Sequence, residues 1–171
     1  MKKDDLIKLF NCDHLARLDN IKQWLEYDRH QQESVSQHSY KVSVFTMCLL
    51  DYLWPGGDDN NTVATFKYQT LKMALMHDFD EAILRRDITH ELKYNAYNGL
   101  ELRNVLDEFV THQVMTEFGD DSVITKTLSK DAPYYDVAHA IVKVADWMAL
   151  LYFLHREVGM GNRSWPLDLL P

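Results

Sequence analysis

At 171 residues the chain is long enough to bury one substantial core, and a single domain over residues 1–171 is expected. Its hydrophobic content of 46% and aromatic content of 12% are globular values and exclude wholesale disorder. A net charge of −8 argues against a binder of nucleic-acid polymers, which would present a basic face. It leaves open a small anionic substrate, because a bound cation and a few local Lys or Arg residues reverse the field inside one pocket.

No apolar run approaches the ~20 residues of a membrane span, so no membrane partner is expected. Met1-Lys2-Lys3-Asp4-Asp5 leads into an amphipathic segment, so no signal peptide is expected. Two cysteines, Cys12 and Cys48, make no disulfide framework, and the simpler setting is a reducing, cytoplasmic one.

The pattern reads as helix almost throughout. Residues 3–17 place Leu6, Ile7, Phe10, Leu15 and Leu18 at roughly helical spacing. A polar loop from Trp24 to Glu33 follows. Ser34 or Ser36 can cap a helix to about Trp54, with Val42, Phe45, Leu49, Tyr52 and Leu53 on its apolar side. The run Pro55-Gly56-Gly57-Asp58-Asp59-Asn60-Asn61 stops it. A third helix spans about Thr62 to Asp78, and residues 79–98 lose their period apart from one or two helical turns. A long helix from Gly99 to Phe118 shows Leu102, Val105, Leu106, Phe109 and Val110, and Gly119-Asp120-Asp121 breaks the chain. The last helix runs from about Tyr134 to Val158, with Val137, Ile141, Val144, Ala145, Met148, Leu151 and Tyr152 along one face, ended by Gly159-Met160-Gly161. Strand-type alternation is nearly absent, so the expected class is all-α.

The chemistry-bearing residues stand on three of these helices. His77-Asp78 closes the third, His38 lies early in the second, and Asp146 sits inside the last. Gaps of 39 and 68 residues mean that only a bundle can bring them together. Two imidazoles and two carboxylates suit a mid-row divalent ion such as Zn, Co or Mn, which lowers the pKa of bound water and polarises a phosphoryl oxygen. A His-Asp pair is common by chance. Asp146 adds weight, because a carboxylate among Val144, Ala145, Trp147 and Met148 is costly to bury alone. It can also sit on a wet edge of the helix or pair with Lys143. Glu81, one turn beyond His77-Asp78, can reach a cation-bound water; it can equally be a solvated helix-end carboxylate.

His38, His77-Asp78 and Asp146, in this order, resemble the HD-domain metal-dependent phosphohydrolases. The closer similarity is to bacterial 5'-deoxyribonucleotidases and phage deoxynucleoside triphosphohydrolases, over roughly Leu18 to Gly161. Ser34-Val35-Ser36-Gln37-His38-Ser39 is similar to V-S-E-H-S, with Gln37 in place of Glu. His77-Asp78-Phe79-Asp80-Glu81 resembles H-D-x-x-E, Arg86-Asp87-Ile88-Thr89-His90-Glu91-Leu92-Lys93-Tyr94 resembles G-D-[IL]-x-T-P-x-K-Y with shifts, and Val144-Ala145-Asp146 resembles the final V/Q-A-D.

The resemblance implies an HD-domain helical bundle with His38, His77, Asp78 and Asp146 as metal ligands. It implies Glu81 and Asp87 as catalytic acids and bases, with Asp80 a nearby competitor for either role. Asp87 stands one residue further from His77 than in the family pattern, after Arg85-Arg86 in place of a small-residue turn. Lys93 aligns with a phosphate-binding lysine, which as a point charge follows a moving phosphate. Trp24, fourteen residues before His38, matches a tryptophan near sugar and base, and with Ile21 and Gln23 would edge a pocket for base discrimination. Gln23 stands where the family carries a phosphate-holding arginine.

The implied reaction is hydrolysis at the 5'-phosphate of a 2'-deoxynucleotide. The short chain, the 55–61 loop and Gln23 lean toward the phage-type dATP triphosphohydrolase rather than the 5'-deoxynucleotidase. A non-catalytic nucleotide-binding HD module is a rival, opposed by the retained Glu81. A (p)ppGpp-type hydrolase is another, opposed by the lack of an E-D block after the HD helix. Relatives of this kind are dimers or larger, which implies a homo-oligomer.

Overall fold

A computed structural model of the chain describes Ile7 and residues 13–23, 28–55, 61–87, 99–120, 122–128 and 134–163. Among these residues the regular elements are helices: α1 His14–Asn20, α2 Val35–Leu53, α3 Asn61–Met76, α4 Phe79–Leu84, α5 Gly99–Phe118, α6 Val123–Leu128 and α7 Tyr135–Gly159. Among the described residues the nearest approach to β structure is an isolated antiparallel bridge between Lys22 and Ser34. The all-α expectation is met.

α2 begins where its sequence asks it to. The Ser34 hydroxyl accepts from the Gln37 N–H at 3.3 Å, and the Gln37 side chain accepts from the Ser34 N–H at 3.0 Å. This reciprocal capping box settles Ser34 as the cap and fixes where the first turn, with His38 in it, starts.

Two apolar clusters organise the bundle. One joins Leu18 of α1, Val35 of α2, Phe79 and Ala82 of α4, and Val110, Val114 and Phe118 of α5. The other joins Val42 of α2, Ala74 of α3, and Val142, Ala145 and Ala149 of α7. The alanines of the second cluster let α2, α3 and α7 pack mutually at close range, since interhelical distance follows the side chains at the contact. Phe79 in the first cluster is fully buried, which stabilises the fold by roughly 1.5–3 kcal/mol.

The metal-type residues lie on the seam between these clusters. His38 stands one turn after Val35 and one turn before Val42. His77-Asp78 is bracketed by Ala74 on one side and Phe79 on the other, and Asp146 follows Ala145. The dipeptide does not close a helix as expected. It forms the turn between α3, which ends at Met76, and α4, which starts at Phe79.

The predicted apolar faces need correction in several places. On α2, Tyr52 is 81% exposed and Leu53 also faces outward, so the buried side runs through Val35, Val42 and Leu50. On α5, Val105 and Phe109 are exposed, and burial is carried by Val110, Val114 and Phe118. On α7, Val137, Val144, Leu151 and Tyr152 are exposed, while Ala138, Val142, Ala149, Phe153 and Leu154 are buried with Ile141 and Ala145. Leu15 of α1 is exposed as well. Side-chain size does not sort the two sets: Phe118, Phe153 and Leu154 are buried while Val105, Val137 and Val144 are exposed, because the partner helix selects the face.

α7 differs from expectation in another respect. By length and composition it is apolar enough to cross a membrane, with a mean hydropathy of 1.5 over its most apolar window. The residues responsible include those packed against α2 and α3, and the helix carries Lys143, Asp146, Arg156 and Glu157. Among the described residues it packs against α2 and α3.

Candidate metal centre

His38, His77 and Asp78 offer ligand atoms that all lie within 4.8 Å of one another. The capped first turn of α2 supplies His38, and the α3–α4 turn supplies the other two. The His38 and His77 ring centroids are 5.4 Å apart. Asp78 Oδ2 is 3.0 Å from His77 Nε2 and 4.0 Å from His38 Nε2. Asp146 is not in that tight trio but reaches it through His38, with Oδ1 at 3.0 Å from His38 Nε2. Its other oxygen, Oδ2, accepts from Lys143 Nζ at 2.8 Å. The Lys143 pairing is thus present and the carboxylate is partly exposed, while its other oxygen meets His38.

The electrostatics follow from this geometry. Burial opposes charge on His38, but the hydrogen bond to Asp146, the nearby Glu33 carboxylate and the charge of Asp78 outweigh it and raise its pKa to about 10. Burial pushes the Asp146 carboxyl up, yet His38 and Lys143 hold it well below the usual carboxylate range.

His77 tests whether a cation fits. Its Nδ1 lies 2.8 Å from the Ala74 carbonyl oxygen, which can only accept, so Nδ1 carries a proton and Nε2 is the edge turned to Asp78. That buried Nε2 makes no hydrogen bond, although Asp78 Oδ2 stands 3.0 Å away. The two atoms are close without a hydrogen bond between them, and positive charge placed between them joins them. A divalent ion satisfies both atoms, and the mixed nitrogen and oxygen donors suit a mid-row metal.

The other predicted residues fall into different places. Glu81 is fully buried in the first turn of α4, so the solvated helix-end alternative is overturned. Asp87 is half-buried just beyond α4, after Arg85 turns the chain left-handed at φ 59°. Gln23 is buried and its Nε2 donates to Asp78 Oδ2 at 3.4 Å, so it reaches a candidate ligand directly. Ile21 packs against the first apolar cluster, and its carbonyl accepts from the Val35 N–H at 3.0 Å. Trp24 and Lys93 lie outside the described residues.

Sequence reasoning missed Glu33. Only 2% exposed, it places Oε1 3.5 Å from His38 Nδ1 and Oε2 2.6 Å from Lys41 Nζ. The available signal was a carboxylate immediately before a helix cap and five residues before a candidate ligand. That signal is too generic to find alone.

The helical bundle with an imidazole–carboxylate seam defines a class. The chain resembles the crystal structure of an HD-domain phosphohydrolase from Listeria innocua, with a TM-score of 0.63 over 93% of this chain and 70% of that one. Identity is 20%, so this likeness is one of fold. Residues 10–167 match the family described as YfbR-like 5'-deoxynucleotidase, and the chain belongs to that family. It is also 28% identical over 124 residues to the 5'-deoxynucleotidase HDDC2 of Dictyostelium discoideum, over 67% of this chain and 64% of that protein. The chain thus spans just under two thirds of the length of this curated relative.

Proposed function

We propose that this chain is a divalent-metal-dependent phosphohydrolase acting at the 5'-phosphate of 2'-deoxynucleotides, in the manner of a 5'-deoxynucleotidase. The observation that carries the reading is the His38, His77 and Asp78 trio within 4.8 Å, on a chain of the YfbR-like family.

In this reading His38, His77, Asp78 and Asp146 hold the ion, which when bound supplies Lewis acidity toward a phosphoryl oxygen and a more acidic water. Fully buried Glu81 takes a proton from the attacking water, and Asp87 gives one to the leaving alkoxide. Lys93 neutralises phosphate, while Trp24, Gln23 and Ile21 edge the nucleoside pocket. Gln23 keeps its contact with Asp78 and so brings no positive charge where relatives place an arginine. The chain works as a homo-oligomer in a reducing cytoplasm, a setting compatible with the exposed thiol of Cys48.

The finer alternative is a dATP triphosphohydrolase, which also breaks a bond to the first phosphorus. The metal-loaded protein is incubated with dAMP, dADP, dATP and the ribonucleotides, and the phosphate product is identified. Inorganic phosphate from dAMP supports the nucleotidase; triphosphate from dATP transfers the assignment to the second chemistry. Absence of turnover on all of them leaves a nucleotide-binding module instead.

A further inference from the structure

Glu33 is a carboxylate taken out of water, and such a group persists in a fold when other charges meet it. Its two oxygens are divided between two residues of α2. Oε2 is held by Lys41 Nζ at 2.6 Å, and Oε1, buried without a hydrogen bond of its own, stands 3.5 Å from His38 Nδ1.

Its backbone is fixed as well. The Glu33 carbonyl accepts from the Gln23 N–H at 3.0 Å, beside the Lys22–Ser34 bridge and directly before the Ser34 cap. Main chain and side chain together aim the carboxylate at one edge of the imidazole.

The opposite edge of that ring faces the candidate metal centre. His38 Nε2 is 3.0 Å from Asp146 Oδ1 and 4.0 Å from Asp78 Oδ2. Once a cation takes the place of the proton on Nε2, an imidazole whose Nδ1–H is met by an acceptor turns the Nε2 lone pair to it in a fixed plane. His77 shows the same device with a neutral partner, the Ala74 carbonyl. The two histidines therefore differ in what stands behind them: a peptide oxygen for one, a carboxylate for the other.

We propose that Glu33 is a positioning residue for the metal centre, accepting the His38 Nδ1–H so that Nε2 is oriented and strengthened as a donor toward a divalent cation, with Lys41 anchoring the carboxylate. This rests on the reading of His38 as a ligand. A purely structural role, in which Glu33 serves only to pin Lys41 to the start of α2, would leave cation affinity alone.

The test titrates the full chain with cobalt(II) by calorimetry, for wild type, Glu33→Gln and Glu33→Ala. It is paired with nitrogen-15 imidazole spectra of the zinc-loaded proteins and with thermal unfolding in chelator. Outer carboxylates of this kind are worth roughly 10–100-fold in metal affinity, and Glu33→Ala is expected to lose that much. Glu33→Gln keeps an acceptor oxygen without the charge and is expected to fall between the two. The His38 nitrogen resonances shift in both variants while those of His77 stay. If Glu33→Ala does not fold, Glu33→Gln decides. Folded variants that bind cobalt within twofold of wild type, with unmoved His38 resonances, overturn the proposal. A wild-type chain that binds no cobalt overturns the metal reading beneath it, and that result is distinct because the unmutated protein is then silent.

Discussion

His38 Nε2 lies 3.0 Å from Asp146 Oδ1, although 108 residues of chain separate the two side chains. The first stands in the capped turn of α2 and the second beside Ala145 on α7, where these helices pack closely. If Asp146 completes the metal centre, a cation supplied at 100 times its dissociation constant raises wild-type stability by about 2.7 kcal/mol. Asp146→Asn is expected to lose most of that increment. Thermal unfolding with and without zinc reads it out, and an equal increment in the variant removes Asp146 from the ligand set.

Glu81 separates binding from chemistry. It is buried in the first turn of α4, three residues after Asp78. Glu81→Gln keeps the shape and loses the base, so deoxynucleotide turnover is expected to fall by roughly 10²–10⁴-fold while the cation-induced stability increment persists. Steady-state turnover at saturating metal checks this. Wild-type rates in the folded variant would show that another residue, with Asp80 first in line, manages the proton.

Glu157 predicts how stability responds to acid. Its fully buried carboxylate accepts from the His30 and Gln31 N–H groups, each at 2.9 Å, and from Asn162 Nδ2 at 2.8 Å. Burial pushes its pKa up, but the hydrogen bonds from His30, Asn162 and Gln31 win and hold it below the ordinary 4.5. The unfolded chain therefore takes up this proton at higher pH than the folded one. Its contribution is complete above about pH 4.5 and erodes as pH falls through the depressed folded value. Glu157→Gln is expected to cost about 1–3 kcal/mol near neutrality and to flatten the acid limb of the stability curve. Urea unfolding between pH 3 and 7 measures both, and an unchanged acid slope would contradict this account.

Ala145 tests the close packing of α2, α3 and α7. Ala145→Leu forces extra methylenes into a fully buried position and is expected to cost about 1–3 kcal/mol. Because Asp146 is the next residue, the same variant should also weaken cation binding. Ala149→Leu, one turn further along in the same cluster, should destabilise comparably with a smaller effect on the metal. Denaturant midpoints and cobalt titrations of the pair separate the two consequences. Equal losses of affinity would mean that the seam responds as one block.

Much of the bundle is legible along the chain. The Ser34 cap, the break after Gly119 and the Gly99–Phe118 span agree between sequence and structure because each depends on neighbours within a few residues. Which helix face is buried was less legible. Tyr52, Val105 and Val144 fit an apolar period yet lie outside, since periodicity marks candidates and only the partner helix selects among them. Glu33 could not be read at all: its meaning depends on the ring of His38, and no spacing rule tells an orienting carboxylate from a solvated one.

By itself the sequence determined the residue types that could hold a cation, their order along the chain and the helices on or beside which they stand. Those are local properties of capping, periodicity and side-chain chemistry. Tertiary structure alone decided that His77-Asp78 is a turn, that Asp146 meets His38, that Gln23 reaches Asp78 and that Glu33 stands behind the imidazole. The Asp146–His38 and Gln23–Asp78 contacts join segments far apart in sequence, and the turn and the Glu33 side chain, though local, are held in place by the helices packed around them. The alanines on that seam bring the helices close enough for such contacts to form.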